Sequence, residues 1–325
     1  MWIRLTQIDG KLPNLALMRM SAWFKENGYK IHFSRSAYRD LFEPDYKFVF
    51  GSTIFSFSKK KIDVFKKQFP NAIVGGTGEK INSSLKEIGI PDDYDKLDYS
   101  IYPTFKNSIG FTQRGCRLKC KFCVVPEKEG KNKSVASIYN IWRGEPYPKH
   151  LHLLDNDFFG SDKWQERTEE IIDGDFKVCF NQGINVRLIH KEGAEFLSKM
   201  KYYDDSFTKK RIYTAWDNLK DEKIFFKGID ILNNAGIPNK HIMAYMLIGY
   251  KIEESVDDIL YRVKAMQDKN ILPYPMVYAP YGKEPKKVLK QIQRWVIRRY
   301  YEFVPFEDYQ SKQIKTNLNN LEIVY

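Results

Sequence analysis

The sequence predicts an α/β protein in two parts: a small doubly wound parallel sheet at the N-terminus, then a partial (β/α)6, TIM-like barrel. Two observations predict it. Residues 1–100 read strand, helix, strand, strand, helix, strand, the pattern of a small parallel sheet flanked by helices. Residues 101–300 then read as six strand–helix units in a row, and repeated units of that kind favour a closed or open barrel.

In the first part, residues 2–8 are apolar and β-prone, and 14–27 carry Leu15, Met18, Ala22 and Trp23 at helical spacing before Gly28. Strands are expected at 29–33 and 46–50, the second ending at Gly51 and Ser52. An amphipathic helix over 59–69 ends at Pro70, and 72–74 enters the turn Gly75-Gly76-Thr77-Gly78. Residues 80–107 are polar and rich in Asp, Tyr and Pro, and read as linker turns.

In the second part, strands are expected at 108–112, 149–155, 177–181, 211–216, 241–248 and 272–278. Helices are expected at 134–142, 161–172, 191–199, 221–234, 255–268 and 285–300. Right-handed crossovers put the helices outside and the strand-to-helix loops on one rim, which is where barrels of this kind carry their chemistry. Residues 301–325 read as a C-terminal tail too short for a domain.

Hydrophobic residues make up 43% of the chain and charged ones 29%, which suits a folded globular protein rather than a disordered one. The formal net charge is +12. That surplus suits an anionic partner such as nucleic acid, although lysine spread evenly over a surface binds nothing in particular. No stretch approaches the roughly 18 apolar residues that span a membrane, and the N-terminal MWIRLTQIDG has no signal-peptide pattern. The chain is therefore expected to be cytoplasmic, with reduced thiols and no membrane partner.

Three of the four cysteines fall within eight residues: Cys116, Cys120 and Cys123, spaced C-x3-C-x2-C, with Phe122 before the last. The segment follows the first expected strand of the second part. Three thiols are one short of a closed structural zinc site, and no second cysteine pair exists to complete one. An iron–sulfur cubane on three cysteines instead leaves one iron without a protein ligand.

In spacing, aromatic residue and place in the fold, this segment resembles the signature of the radical S-adenosylmethionine superfamily, over roughly residues 105–300. The resemblance implies an enzyme with an oxygen-sensitive [4Fe–4S] cluster on Cys116, Cys120 and Cys123. It implies reductive cleavage of S-adenosylmethionine to a 5′-deoxyadenosyl radical, hydrogen abstraction from an unidentified substrate, with methyl transfer as one outcome, and a reducing protein such as flavodoxin or ferredoxin. It places Phe122 near the adenine. Asp155, Asn156 and Asp157 follow the second strand, without the glycines usual there. Gln182, Asn185 and Arg187 follow the third strand, Trp216, Asp217 and Asn218 end the fourth, and Gly249 sits in the turn after the fifth. These are candidates for holding the cosubstrate, Arg187 because a guanidinium matches a carboxylate bidentately. No catalytic residue is assigned; Cys179, flanked by Val178 and Phe180, is the only candidate, as a hydrogen-atom donor or methyl carrier against an ordinary buried strand cysteine.

The first part resembles the cobalamin-binding-like domain found in some members of that superfamily. Ser52-Thr53-Ile54 and Gly75-Gly76 match its later elements, but Asp9-Gly10-Lys11-Leu12-Pro13 supplies no histidine for cobalt. Three readings stay open: cobalamin held without a protein histidine, a degenerate scaffold that positions substrate, or a site for another nucleotide. Methylthiotransferases share this architecture but carry a second cluster on three N-terminal cysteines, and residues 1–115 contain none. That reaction is therefore disfavoured.

Basic residues surround the cysteines: Arg114, Arg117, Lys119, Lys121, Lys128, Lys131 and Lys133. Lys287, Lys290, Arg294 and Arg298 form a helix face opposite Val288, Ile292, Trp295 and Val296. No aromatic stacking platform for nucleic acid is legible. The alternatives to an enzyme are a non-catalytic iron–sulfur redox sensor that binds nucleic acid, and a zinc module.

Overall fold

The computed structural model describes residues 1–279 and 285–309. They fall into two compact units, whose bodies are Met1–Leu151 and His152–Tyr278. The first unit opens with β1 (Trp2–Gln7), α1 (Leu15–Glu26), β2 (Lys30–Ser34), β3 (Tyr46–Ser52), α2 (Lys59–Gln68) and β4 (Ile73–Gly75). The strands form one sheet in the order β2-β1-β3-β4, every neighbour parallel. Strand alternation sorts the side chains. Ile3, Leu5 and Phe50 pack with Leu17, Met18 and Phe24 of α1. Ile8, Val49 and Val74 pack with Ile62 and Phe65 of α2, and with Phe69 just beyond it. One helix covers each face, so the sheet is doubly wound, as predicted.

Local signals set the element ends. Asn14 caps α1 by accepting from Leu17 N at 3.1 Å, which satisfies one of the unpaired amides of the first turn. Arg4 is fully buried in β1. Its guanidinium pairs with Glu43, donates to the carbonyls of Ser36 at 2.9 Å and Tyr38 at 3.2 Å, and lies over Phe69. A buried charge persists only when it is saturated in this way.

Residues 80–107 are more than a linker. Ile90, Ile101 and Tyr102 are buried in the α1-side core, and the Tyr102 hydroxyl donates to Gln7 Oε1 at 2.8 Å while accepting from Asn14 N. The polar composition hid these buried anchors, one at Ile90 and two adjacent ones at Ile101 and Tyr102.

The strand order reverses between β1 and β3, the place where doubly wound sheets bind ligands beyond their strand ends. Here that place is closed by the chain itself. The Asp9 carboxylate accepts from Ile54 N at 2.7 Å, Phe55 N at 3.0 Å and the Thr53 hydroxyl at 2.7 Å. The turn after β4 presses on the same loop: Gly76 has φ +95°, and a Cβ there would lie 2.2 Å from Thr53 O. Of the residues that resembled a cobalamin or nucleotide element, Gly76 thus packs against the backbone of Thr53, and Gly75 faces the Ser83 side chain. Gly76→Ala should destabilise this unit by about 3 kcal/mol or more, from the φ and the clash together; urea unfolding measures it, and a change below about 1 kcal/mol would show that the loop yields.

The first unit continues with β5 (Ser108–Gly110), β6 (Gln113–Arg114), α3 (Val125–Lys128), β7 (Lys133–Ser134) and α4 (Ile138–Ile141). The helix expected over 134–142 is only this last single turn. β6 and β7 pair antiparallel, a two-residue ladder too short for any periodicity to reveal.

Next along the chain come β8 (His150–Leu153), α5 (Trp164–Asp173), β9 (Lys177–Phe180), α6 (Lys191–Lys199), β10 (Lys201–Tyr202), β11 (Ile212–Ala215), α7 (Glu222–Asn234), β12 (Ile242–Ile248), α8 (Val256–Asp268), β13 (Leu272–Val277) and α9 (Lys287–Ile297). Its strands lie in two sheets rather than one continuous one: β8, β9 and β10 are neighbours in one, and β11, β12 and β13 in the other. β9 and β10 pair parallel, as do β11 with β12 and β12 with β13. The short strand β10 was not foreseen. Of the tail at 301–325, residues 310–325 lie outside the described residues.

Candidate metal centre

The cysteine loop leaves β6 and is closed at its neck. The β6–β7 ladder pairs Gln113 with Ser134 and Arg114 with Lys133. Glu129, just past α3, accepts from Gly115 N at 3.0 Å and forms an ion pair with Arg114 at 2.9 Å. Gly115 has φ +81°, and a Cβ there would lie 2.3 Å from Lys131 O, so only glycine passes through this neck. The Arg114 guanidinium also lies 4.1 Å from the centre of the Phe111 ring.

Inside the neck, Cys123 N donates to Cys120 O at 3.0 Å, and Leu118 N donates to Cys116 Sγ at 3.4 Å. All three cysteines are partly exposed, and none of them is in a disulfide. Arg117, Lys119 and Lys121 are exposed around them, and such charge favours an anionic metal–thiolate centre.

Among the described residues no group of three His, Cys, Asp or Glu is set to hold a metal ion. Ligands to one ion share a centre, whereas a cubane takes its three thiols at three separate corners. The donor chemistry fits the second case. Three partly exposed thiols lie on one short closed loop, with a backbone N–H aimed at a sulfur, an interaction that tunes iron–sulfur centres.

Phe122 is half-buried in the cysteine loop; the remaining candidates lie in the second unit, where a polar network joins three of them. Asp217, after β11, accepts from Leu247 N at 2.9 Å. Burial raises its carboxyl above the ordinary range, although Arg187 and Arg262 oppose that. Arg187 pairs with Asp221 at 3.0 Å, so its guanidinium is held by protein rather than presented bare. Gly249 N donates to Glu254 at 3.2 Å, and Glu254 pairs with Arg262 at 2.5 Å. Arg262 is fully buried in α8 and donates to the carbonyls of Trp216 at 2.9 Å and Leu247 at 3.3 Å.

Asp221, Glu254 and Arg262 escaped the sequence reading. A signal existed for one of them: Arg262 sits on the apolar stripe of α8 with Ile259, Val263 and Met266, where a charge needs a reason. Trp216 was expected on the rim; it is fully buried instead and stacks on Phe225 at 5.2 Å.

Asp155 and Asp157 are buried and Asn156 is half-buried. Gln182 is exposed, and Asn185 is half-buried ahead of a 3-10 turn. Cys179 is fully buried beside Phe207 and Tyr213. Burial, with Asp205 and Asp204 adding to it, pushes its thiol up to about 12. It therefore stays protonated at neutral pH, and this contribution to stability is lost only as pH climbs from the ordinary thiol range toward that value. On α9 and at its C-cap, Lys287, Lys290, Arg294 and Arg298 are exposed while Ile292, Trp295 and Val296 are buried, as expected; Leu289 is buried in place of half-buried Val288.

Over 226 residues the chain is 24% identical to a tRNA-2-methylthio-N(6)-dimethylallyladenosine synthase of Sulfurihydrogenibium sp. (strain YO3AOP1), covering 62% of this chain and 49% of the relative. The chain thus spans about half the length of the curated relative it matches. No family model matches, and no solved structure matches.

In metal-free protein at pH 8, Cys116, Cys120 and Cys123 should alkylate readily and Cys179 only on unfolding, as read by peptide mass spectrometry. Equal labelling of Cys179 in the folded state would contradict its burial. Arg262→Ala should cost about 3–5 kcal/mol in urea unfolding, because it leaves Glu254 buried without its partner; a cost under about 1 kcal/mol would show that the network is dispensable.

Proposed function

We propose that the chain is a radical S-adenosylmethionine enzyme, with Cys116, Cys120 and Cys123 as ligands of a [4Fe–4S] cluster. The observation that carries the reading is the closed three-thiol loop between β6 and α3, in the C-x3-C-x2-C spacing. The distant match to a tRNA-modifying synthase supports it. On this reading residues 1–100 form a degenerate cobalamin-binding-like domain and 101–300 a partial (β/α)6 barrel.

When bound, the cluster would supply the electron that cleaves the cosubstrate's sulfonium and yields a 5′-deoxyadenosyl radical. The chain's own residues do the rest. The neck made by Gly115, Arg114 and Glu129 fixes the loop. Phe122 offers an apolar face to the adenine. Asp155, Asn156, Gln182, Asn185, Arg187, Asp217 and Gly249 are the proposed cosubstrate contacts. Asp217 and Arg262 each bond Leu247, so they hold the end of β12 that leads to Gly249. Cys179, kept as a neutral thiol by burial, is the candidate hydrogen donor.

The net charge of +12 and the relative's tRNA product support a nucleic-acid substrate. Residues 1–115 contain no cysteine for a second cluster, so the proposed reaction is hydrogen abstraction from the substrate, with methyl transfer as one outcome, rather than sulfur insertion.

After anaerobic reconstitution, wild-type protein should carry iron and sulfide and form 5′-deoxyadenosine with a strong reductant. The triple variant Cys116→Ala, Cys120→Ala, Cys123→Ala should lose both the metal and the product. Zinc without iron would overturn the reading, and a full cluster without nucleoside product would favour a redox sensor.

A further inference from the structure

The closed crevice of the first unit has a consequence on its outer side. Because Asp9 draws in the amides of Ile54 and Phe55, the loop after β3 turns its apolar side chains to solvent. Phe55 is 40% exposed and Phe57 67%. Their rings are stacked, 4.9 Å between centres and 9° from parallel. Two aromatic faces kept parallel in water carry a hydrophobic cost, and a patch of this kind marks an interaction site. Lys60 and Lys61 are exposed on the first turn of α2, a turn without an acidic residue, and Asp63 further along the helix pairs with Lys59 at 3.4 Å. Flat apolar faces beside cations fit a planar, anionic polymer, and base stacking on aromatic side chains next to phosphate-binding lysines meets both demands.

The place in the fold agrees. A Cβ on Gly78 would lie 2.6 Å from Phe55 O, so the turn after β4 abuts the platform loop. Thr77 in that turn accepts from Lys128 Nζ at 2.6 Å, and Lys128 ends the short helix that follows Cys123. The platform and the cysteine loop are therefore joined through one hydrogen bond.

We propose that Phe55 and Phe57, with Lys60 and Lys61, form a binding site for unpaired nucleobases of a single-stranded RNA segment. The sequence showed no such platform, because two phenylalanines separated by one serine read as core. The site rests on the proposed function only for the class of substrate. Its binding is measured without metal, so the two readings fail separately.

The test is fluorescence anisotropy of metal-free full-length protein with a labelled single-stranded RNA of about a dozen nucleotides, within the site sizes usual for such grooves. Wild type should bind in a salt-dependent way. Phe55→Ala with Phe57→Ala should weaken binding roughly fivefold to a hundredfold, the loss expected for removing base stacking. Phe55→Trp with Phe57→Trp should restore it. Lys60→Glu with Lys61→Glu should reduce the salt slope by about 0.7 per phosphate lost. Phe42→Ala serves as a control, since Phe42 is 95% exposed with no stacked neighbour among the described residues. No binding by wild type, equal binding by the Phe55→Ala, Phe57→Ala variant, or the same loss on Phe42→Ala would overturn the proposal. So would equal affinity for a duplex. If 5′-deoxyadenosine is still made in those cases, the platform alone is wrong.

Discussion

The candidate site depends on one carboxylate. Glu129 accepts from Gly115 N and pairs with Arg114, which ties the entrance of the cysteine loop to its exit. A short loop carrying three thiols and several like charges would otherwise spread, since fixing its backbone costs conformational entropy at every residue. With the neck closed, the β6–β7 ladder and the helix after Cys123 bound the loop that carries the three thiols, and the surrounding cations would offset the charge of a thiolate-bound centre. Removing the clasp would act on the candidate metal site without touching a cysteine.

The two units solve different problems. In the first, the parallel sheet offers a ligand crevice at its strand-order reversal, and Asp9 fills it. Gly76, which looks like part of a cofactor motif, meets the backbone of Thr53 there. In the second, the strand ends of β11 and β12 are braced by buried charge, with the two terminal nitrogens of Arg262 bonded to Glu254 and two carbonyls. Such a network is costly to break and fixes backbone direction, a useful property where several loops must hold a small molecule.

The sequence was most informative where periodicity is long. The helix expected at 191–199 is α6 to the residue, and α7 and α8 differ from expectation by one residue at their starts. The cysteine spacing was legible for the same reason, as a pattern within a single loop. Two-residue strands carry no period, so β6, β7 and β10 were missed although β6 and β7 form the neck of the site. Long-range polar pairing was also invisible. Nothing near Arg187 announces Asp221, and nothing near Asp217 announces Leu247 N. Trp216 misled because a strand-end tryptophan looks like a rim residue, whereas its indole donates to Asn218 O at 2.8 Å and its ring fills the core.

The central claim is that three cysteines hold a cluster whose remaining iron is open to a small chelating molecule. Electron paramagnetic resonance of the anaerobically reduced protein, recorded before and after adding S-adenosylmethionine, tests it most directly. The account predicts a reduced [4Fe–4S] signal whose shape changes when the cosubstrate reaches that iron. A cluster signal that stays the same at saturating S-adenosylmethionine would contradict it.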